Sequence, residues 1–382
     1  MSEARLVPER ESIASIRAVL EQNGFDLAHE ILRPDYLISP FPNLQTFLPQ
    51  LERIDPVVRV LMRLYSVGEA IEPEIVESIF GREFLESNLA TGLLVFDSSG
   101  TTVSTAGLQL VSRLGQYFVV STSRAYPGFD PAAADVYLGP ESYTLANYLQ
   151  RRAGSLPSSG RALDLCTGAG IAAQSLAAVR RGVVWTGVDV SHQAVEAAAF
   201  NAALNETQDR YSAIQGDLYE PVRGGRFGLI VANPPFIPVP SALDFPIYGD
   251  GGEDGLSVLG RIIAGLPEYL APSGRAIVYA EGLGDERGPW VLDQLEAASG
   301  AGLTIGITVL STMSVEQALF TIGRMLSVQT PSRLDELRAW QELFAGNGAT
   351  RYSKFIIDAR VGTPAVVLRS IGALSTGSSG TA

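Results

Sequence analysis

The stretch Ala162-Leu-Asp-Leu-Cys-Thr-Gly-Ala-Gly-Ile171 decides how this chain is read. Residues 162–166 form a short apolar run of strand character that passes directly into Thr167-Gly168-Ala169-Gly170 and then an alanine-rich helical segment. Small residues at a strand-to-helix turn let a ligand approach the backbone closely, the first half of a nucleotide-type site in an open α/β sheet. A turn of this kind also arises from tight helix–strand packing alone, so its neighbours must decide.

Toward the C-terminus the chain alternates strand and helix in short periods. Apolar strands are predicted at 183–188, 211–215, 229–232, 276–280 and 303–309, with helices between the earlier ones. A last strand, 352–359, follows two helical segments at 314–326 and 332–344 that intrude before it. Together with 162–166 this makes seven strands. The alternation predicts βαβ units and an α/β, doubly wound, mostly parallel sheet covered on both faces.

The strand ends carry polar signals in a regular order. Asp189 closes the second strand, about 20 residues beyond the glycines, where a carboxylate takes both hydroxyls of a ribose. Gly216-Asp217-Leu218 closes the third and offers a carboxylate to an exocyclic adenine amine. The fourth ends in Asn233-Pro234-Pro235-Phe236. Two consecutive prolines lack N–H groups, so the carbonyls beside them stay out of a helix or sheet ladder and are free to accept. The Asn233 side-chain oxygen and such a carbonyl can converge on one –NH2 group, and Phe236 offers a face to a planar acceptor. Each residue has a plainer reading: Asp164 beside a helix N-cap, Asp217 in a surface turn, Phe236 in the core, and the two prolines capping a strand.

Toward the N-terminus, 139–152 reads as a helix leading into the glycine turn, and a Pro-, Gly- and Ala-rich stretch at 126–135 before it reads as a hinge. Residues 9–21 have helical spacing, and a second segment starts at Phe41-Pro42. Residues 55–65, 72–79 and 82–89 read as three compact helices, and 92–104 as a hairpin around Asp97-Ser-Ser-Gly100. Three helices and a small hairpin outline a winged helix, whose last helix can read DNA. The charges oppose that use: residues 55–121 hold eight acidic side chains and four arginines. The module is therefore expected to act as a lid or substrate-docking element.

At 382 residues the chain has room for two domains. Its organisation reads as an N-terminal module at 1–125, a linker and lead-in helix at 126–160, the α/β domain at 161–362 and a partly disordered tail at 363–382. The formal net charge of -13 disfavours a phosphate-backbone partner. One cysteine and two histidines exclude a disulfide framework and a classical zinc cluster; no metal is expected, a carboxylate-only site being the one alternative left open. The absence of a long apolar run or a leader pattern points to a cytoplasmic protein without membrane attachment. Oligomeric state is not encoded in any of these features.

Taken in order, Asp164-Leu-Cys-Thr-Gly-Ala-Gly170, Asp189, Asp217 and Asn233-Pro-Pro-Phe236 resemble the motifs of class I S-adenosylmethionine-dependent methyltransferases. The last motif is similar to that of the branch methylating planar nitrogen, and Tyr248-Gly-Asp-Gly-Gly-Glu-Asp-Gly-Leu256 to a stretch of the protein-glutamine methyltransferases. The N-terminal module departs from those enzymes and, with Leu138-Gly-Pro-Glu-Ser142, resembles a group of actinobacterial methyltransferases carrying such a module. The resemblance implies a Rossmann-like methyltransferase sheet with S-adenosylmethionine as cofactor. It implies cofactor contacts from Asp164 (methionine end), Cys166, Thr167, Gly168, Gly170, Asp189 and Val190 (ribose), Asp217 and Leu218 (adenine), and Asn233. Catalysis would fall to Asn233, Pro234, Pro235 and Phe236, with Tyr248, Asp250 and Glu253 shaping the acceptor pocket. The acceptor is expected to be a protein glutamine or similar amide, with a small specialised metabolite as the alternative. A nucleic-acid amine or a regulator that only binds the cofactor fits the acidic module and the intact motif less well.

Overall fold

A computed structural model describes residues 6–32, 44–113, 115–121, 136–329 and 335–371. They fall into two compact units, Met1–Arg223 and Gly224–Ala382.

The first unit opens with α1 (Arg10–Gln22), whose buried stripe is Ile13, Ile16 and Leu20 and whose N-cap, Glu9, accepts from the amides of Glu11 and Ser12. Next come α2 (Phe25–Leu32), α3 (Leu44–Leu51) and α4 (Pro56–Leu61), the last capped by Asp55, started by Pro56 and continued as a π-helical turn, Met62–Val67. After α5 (Pro73–Phe80) and α6 (Arg82–Thr91), β1 (Val95–Phe96) and β2 (Val103–Ser104) pair antiparallel. Their turn is organised by the Asp97 carboxylate, which accepts from the amides of Thr101 and Thr102. The three predicted helices and the hairpin are thus present. The second segment's expected start at Phe41-Pro42, and the hinge at 126–135, lie outside the described residues.

Two elements of this unit escape the sequence reading. One is α2; the other is a second hairpin, β3 (Leu108–Arg113) with β4 (Gln116–Ser121). Both hairpin strands are buried over their first five residues, Gln109, Ser112 and Gln116 included, so the apolar/polar alternation that marks a half-exposed strand is missing. Phe25, Phe47, Tyr65, Phe84, Tyr117 and Phe118 form the aromatic centre of the core these elements share.

The α/β part of the unit runs α7 (Pro140–Arg152), β5 (Ser159–Leu165), α8 (Ile171–Ala177), β6 (Gly182–Asp189), α9 (His192–Leu204) and β7 (Tyr211–Gln215). β5 pairs parallel with β6, and β6 with β7. Leu165 lies opposite Val188 and Asp189 opposite Gln215, so the three strands end at one level. Asn201 on α9 and Asn205, its C-cap, grip the backbone of β4 through Val119 and Tyr117. A side-chain amide presents a donor and an acceptor as a backbone peptide does, so the pair acts as a short mimic of a neighbouring strand.

The second unit contains β8 (Phe227–Ala232), α10 (Ser257–Tyr269), β9 (Leu270–Asp285), β10 (Gly288–Pro289), α11 (Val291–Ser299) and β11 (Leu303–Ser314). It continues with α12 (Val315–Gln329), α13 (Leu337–Asn347), β12 (Arg351–Val361) and β13 (Ala365–Ser370). Its strands lie in the order β8-β9-β12-β11-β13, parallel between β8 and β9 and between β11 and β13, antiparallel elsewhere, with β10 paired to β9. All seven predicted strands are present across the two units, and β10 and β13 are additional. β13 lies where the sequence suggested a tail; Ala365-Val-Val-Leu368 is β-prone, but its side chains are mostly exposed and show no buried face. The Ser/Thr/Gly-rich residues from Ser375 onward lie outside the described residues.

Candidate functional site

In the first unit the residues singled out by sequence gather where β5, β6 and β7 end. Asp164 is 1% exposed and lies beneath the glycine turn, where its Oδ2 accepts from the Thr167 hydroxyl at 2.8 Å and the Ala173 amide at 3.3 Å. Thr167 Oγ1 is also 2.9 Å from the Tyr211 hydroxyl, so a run of hydrogen bonds reaches from β5 to β7. Burial pushes the Asp164 carboxyl up to about 7, the nearby Asp189 charge adds to the rise, and the Thr167 and Ala173 donors oppose it. Burial likewise drives the Tyr211 hydroxyl upward.

Above this buried layer lies a more open one. Cys166, Gly168, Asp189 and Asp217 are half-buried and Val190 is exposed, whereas Thr167, Gly170 and Leu218 are buried. Asp189 ties the turn to the second strand: its Oδ2 accepts from the Gly168 amide at 2.9 Å and its Oδ1 from the Ser191 amide at 3.0 Å. Ser191 caps α9, so the carboxylate also sits at the positive end of that helix. Gly168 holds a φ of +51°, and among the described residues a Cβ there would meet only the Tyr137 carbonyl oxygen, at 3.9 Å. The described residues thus leave room beside its backbone.

Two non-glycine residues at these strand ends, Cys166 (φ 54°) and Leu218 (φ 49°), sit in the left-handed region. Such positions cost of order 1 kcal/mol each and cluster where a turn must be aimed at a ligand. The chemistry of the set suits a nucleoside with a charged tail: a carboxylate for vicinal hydroxyls, a second for an amine, and an open glycine backbone.

In the second unit β8 delivers Asn233-Pro234-Pro235-Phe236. Pro234 is buried, and Asn233, Pro235 and Phe236 are half-buried. The segment is fixed by the loop that follows. Ile237 donates to the Gly249 carbonyl and accepts from the Gly251 amide, each at 2.9 Å, and Val239 donates to Gly252. A Cβ on Gly251 would come within 2.8 Å of Phe236 Cα, and one on Gly255 within 2.5 Å of the Phe236 oxygen. Gly251 and Gly255 therefore serve a close approach to the Phe236 backbone. Tyr248 is half-buried beside them, and Asp250 and Glu253 are exposed.

Outside the motifs, Trp340 on α13 donates from Nε1 to the Pro238 carbonyl at 2.7 Å and meets Phe245 edge-on, anchoring the same loop. Tyr211 and Trp340 carry no motif signature. Their only sequence signal is a polar-tipped aromatic among polar and charged neighbours, Asp209-Arg-Tyr-Ser212 and Arg338-Ala-Trp-Gln-Glu342, which singles neither out. Among the described residues no His/Cys/Asp/Glu group could hold a metal ion, and no helix is long and apolar enough to cross a membrane.

Residues 139–287 match the family model of the methyltransferase small domain. Over 125 residues the chain is 36% identical to a ribosomal protein uL3 glutamine methyltransferase of Bradyrhizobium diazoefficiens, covering 31% of this chain and 39% of that protein. A ribosomal protein uL3 glutamine methyltransferase of Bordetella pertussis is 37% identical over 147 residues, 36% of this chain and 46% of its own. A release factor glutamine methyltransferase of Geobacter sulfurreducens is 34% identical over 131 residues, 32% of this chain and 45% of its own. The chain spans less than half the length of each of these three relatives.

Proposed function

We propose that the chain is an S-adenosylmethionine-dependent N-methyltransferase whose acceptor is the side-chain amide of a protein glutamine. The observation that carries this reading is Asn233-Pro234-Pro235-Phe236 at the end of β8, clasped at Phe236 by Gly251 and Gly255. The match over residues 139–287 and the glutamine named in the relatives' activities support it. The relatives' acceptors, ribosomal protein uL3 and a release factor, are the acceptor proteins to try first, and they would put the enzyme in the cytoplasm.

In this reading cofactor binding belongs to the first unit. Gly168 and its neighbours Cys166, Thr167 and Gly170 let the cofactor approach the backbone; Asp189 with Val190 takes the ribose hydroxyls, and Asp217 with Leu218 the adenine. Asp164 acts from below by holding Thr167. The sulfonium supplies a strongly electrophilic methyl group, so the chain's own work is alignment and exclusion of water. The Asn233 side-chain oxygen and the Pro234 carbonyl accept the two amide N–H groups, orient the nitrogen and stabilise the positive charge that grows on it as the C–N bond forms. The methyl group's bond to sulfur would break in the same displacement, its electron pair staying on sulfur, and one N–H proton would pass to solvent. Pro235 stiffens the corner, and Phe236 stacks on the acceptor plane. We assign choice of acceptor to the winged-helix-like module within residues 1–125, and transfer to residues 161–362.

The test is incubation with methyl-labelled cofactor and purified uL3, release factor or a size-fractionated lysate. Label on a glutamine nitrogen, located by mass spectrometry, is the expected result. Label confined to small molecules overturns the protein acceptor, and no label anywhere overturns the activity.

A further inference from the structure

Behind Phe236, in the second unit, is a polar group that no motif announces. Ala232, the last residue of β8, lies opposite Val278 of β9, so Tyr279 follows at the level where the Asn233 corner begins. Tyr279 and Glu281 are two residues apart on one strand and share a face. They are 2% and 7% exposed. The Tyr279 hydroxyl donates to Glu281 Oε1 at 2.7 Å, and Lys354, directly opposite Glu281 on β12, donates to the same oxygen at 2.9 Å. Lys354 is the chain's single lysine. The Tyr279 ring meets Phe236 edge-on, with centroids 6.0 Å apart at 62°.

Stability alone is a poor reason for this arrangement. Burying a carboxylate is costly, a partner cation only offsets that cost, and apolar replacements of similar volume are often neutral or stabilising. What the group does achieve is to fix one ring: the hydroxyl is held by a carboxylate, and the carboxylate is held by a cross-strand ammonium. A tyrosine held at its tip presents a constant edge to whatever packs on its ring.

Resting on the N-methyltransferase reading, we infer that Tyr279 and Glu281 are positioning residues for the methyl acceptor, setting through the Tyr279 ring the tilt at which Phe236 stacks on the acceptor amide. Lys354 holds Glu281 in place through the 2.9 Å contact to its Oε1. None of the three touches the reacting atoms. Their effect is felt in how the acceptor is aligned, where small errors of angle are costly.

The experiment pairs a spectroscopic readout with a kinetic one. The protein is labelled with para-fluorophenylalanine, and the position-236 resonance is assigned through Phe236→Leu. Tyr279→Phe, which removes only the hydroxyl, is expected to move that resonance. It should also lower the turnover number on the proposed acceptor proteins ~10-fold, with cofactor affinity held within about twofold. In the Phe236→Leu background the same substitution should change turnover by less than about twofold, because coupled residues are not additive. Glu281→Gln, which keeps an acceptor for the tyrosine, should retain most activity, and Glu281→Leu should match Tyr279→Phe. An unmoved fluorine resonance overturns the inference, as does an equal loss from Tyr279→Phe with and without Phe236. If the wild-type protein methylates no acceptor, the N-methyltransferase reading falls, and the fluorine resonance alone decides whether Tyr279 sets Phe236.

Discussion

Asn201 donates from Nδ2 to the carbonyl of Ala169, at 3.0 Å, and so joins helix α9 to the glycine turn. The same amide group donates to the Val119 carbonyl at 3.1 Å and accepts from the Val119 amide at 2.7 Å. One fully buried side chain thus satisfies three backbone groups, two on the N-terminal hairpin and one in the turn. Replacing Asn201 by Ala would leave all three buried without that partner, at about 1–3 kcal/mol for each group that water cannot reach. We expect Asn201→Ala to cost at least ~2 kcal/mol of stability in denaturant unfolding and to weaken S-adenosylmethionine binding, because Ala169 loses its tether. A stability change under ~0.5 kcal/mol would contradict this account.

The turn's geometry was readable in the sequence, and the tether was not. Gly168, Asp189, Asp217 and Asn233 each carry a residue type whose chemistry is local to one strand end, so composition and order suffice to single them out as candidates. Asn201 differs. It sits in the alanine-rich run Ala197-Ala-Ala-Phe-Asn-Ala-Ala203, where an asparagine reads as a solvent-facing residue. Only the arrival of β4, some 80 residues earlier in the chain, makes it structural. The same holds for Tyr211, whose partner Thr167 is 44 residues away, and for Trp340, 102 residues from Pro238. Periodicity and turn chemistry report local preference; pairing across long separations leaves no periodic trace. The hairpin β3–β4 was hidden for a related reason, since burial on both faces removes the alternation that marks a strand.

Asp164 predicts a pH dependence. Its carboxyl is raised from 3.8 to about 7 by burial, so between those values the native state binds more protons than the unfolded chain. Stability contributed by this group therefore falls as pH rises through that window and is lowest above it. Asp164→Asn is neutral at every pH and lacks this decline. We expect the variant to gain on the wild type by about 2 kcal/mol between pH 5 and pH 8, on top of any constant offset from altered hydrogen bonds. Urea unfolding of both proteins at several pH values measures it, and a difference that stays level or shrinks toward alkaline pH would refute the assignment.

Asp189 has two duties in the proposed site, holding the Gly168 amide and taking the ribose hydroxyls. Asp189→Ala removes both. A charge-assisted hydrogen bond contributes about 1.5–3 kcal/mol, so cofactor affinity should drop at least ~10-fold by titration calorimetry. Thermal unfolding without cofactor should move only a few degrees, since Asp189 is half-buried. Unchanged affinity would remove Asp189 from the ribose site.

Asn233 separates cofactor binding from transfer. The proposed role of its side-chain oxygen is to hold one N–H of the acceptor amide while positive charge develops on nitrogen, an interaction stronger in the transition state than in the ground state. Removing a preorganised partner of this kind costs about 100-fold or more in turnover. Asn233→Ala should therefore lower methyl transfer to the proposed acceptor proteins by about that factor and leave calorimetric affinity for S-adenosylmethionine within about threefold. Asn233→Asp tests the same point from the other side. It keeps an acceptor oxygen but adds a charge, so it should retain more activity than alanine if acceptance from the N–H groups is the essential act. Equal loss of binding and transfer in Asn233→Ala would return Asn233 to the cofactor site and leave the acceptor to the Pro234 carbonyl and Phe236.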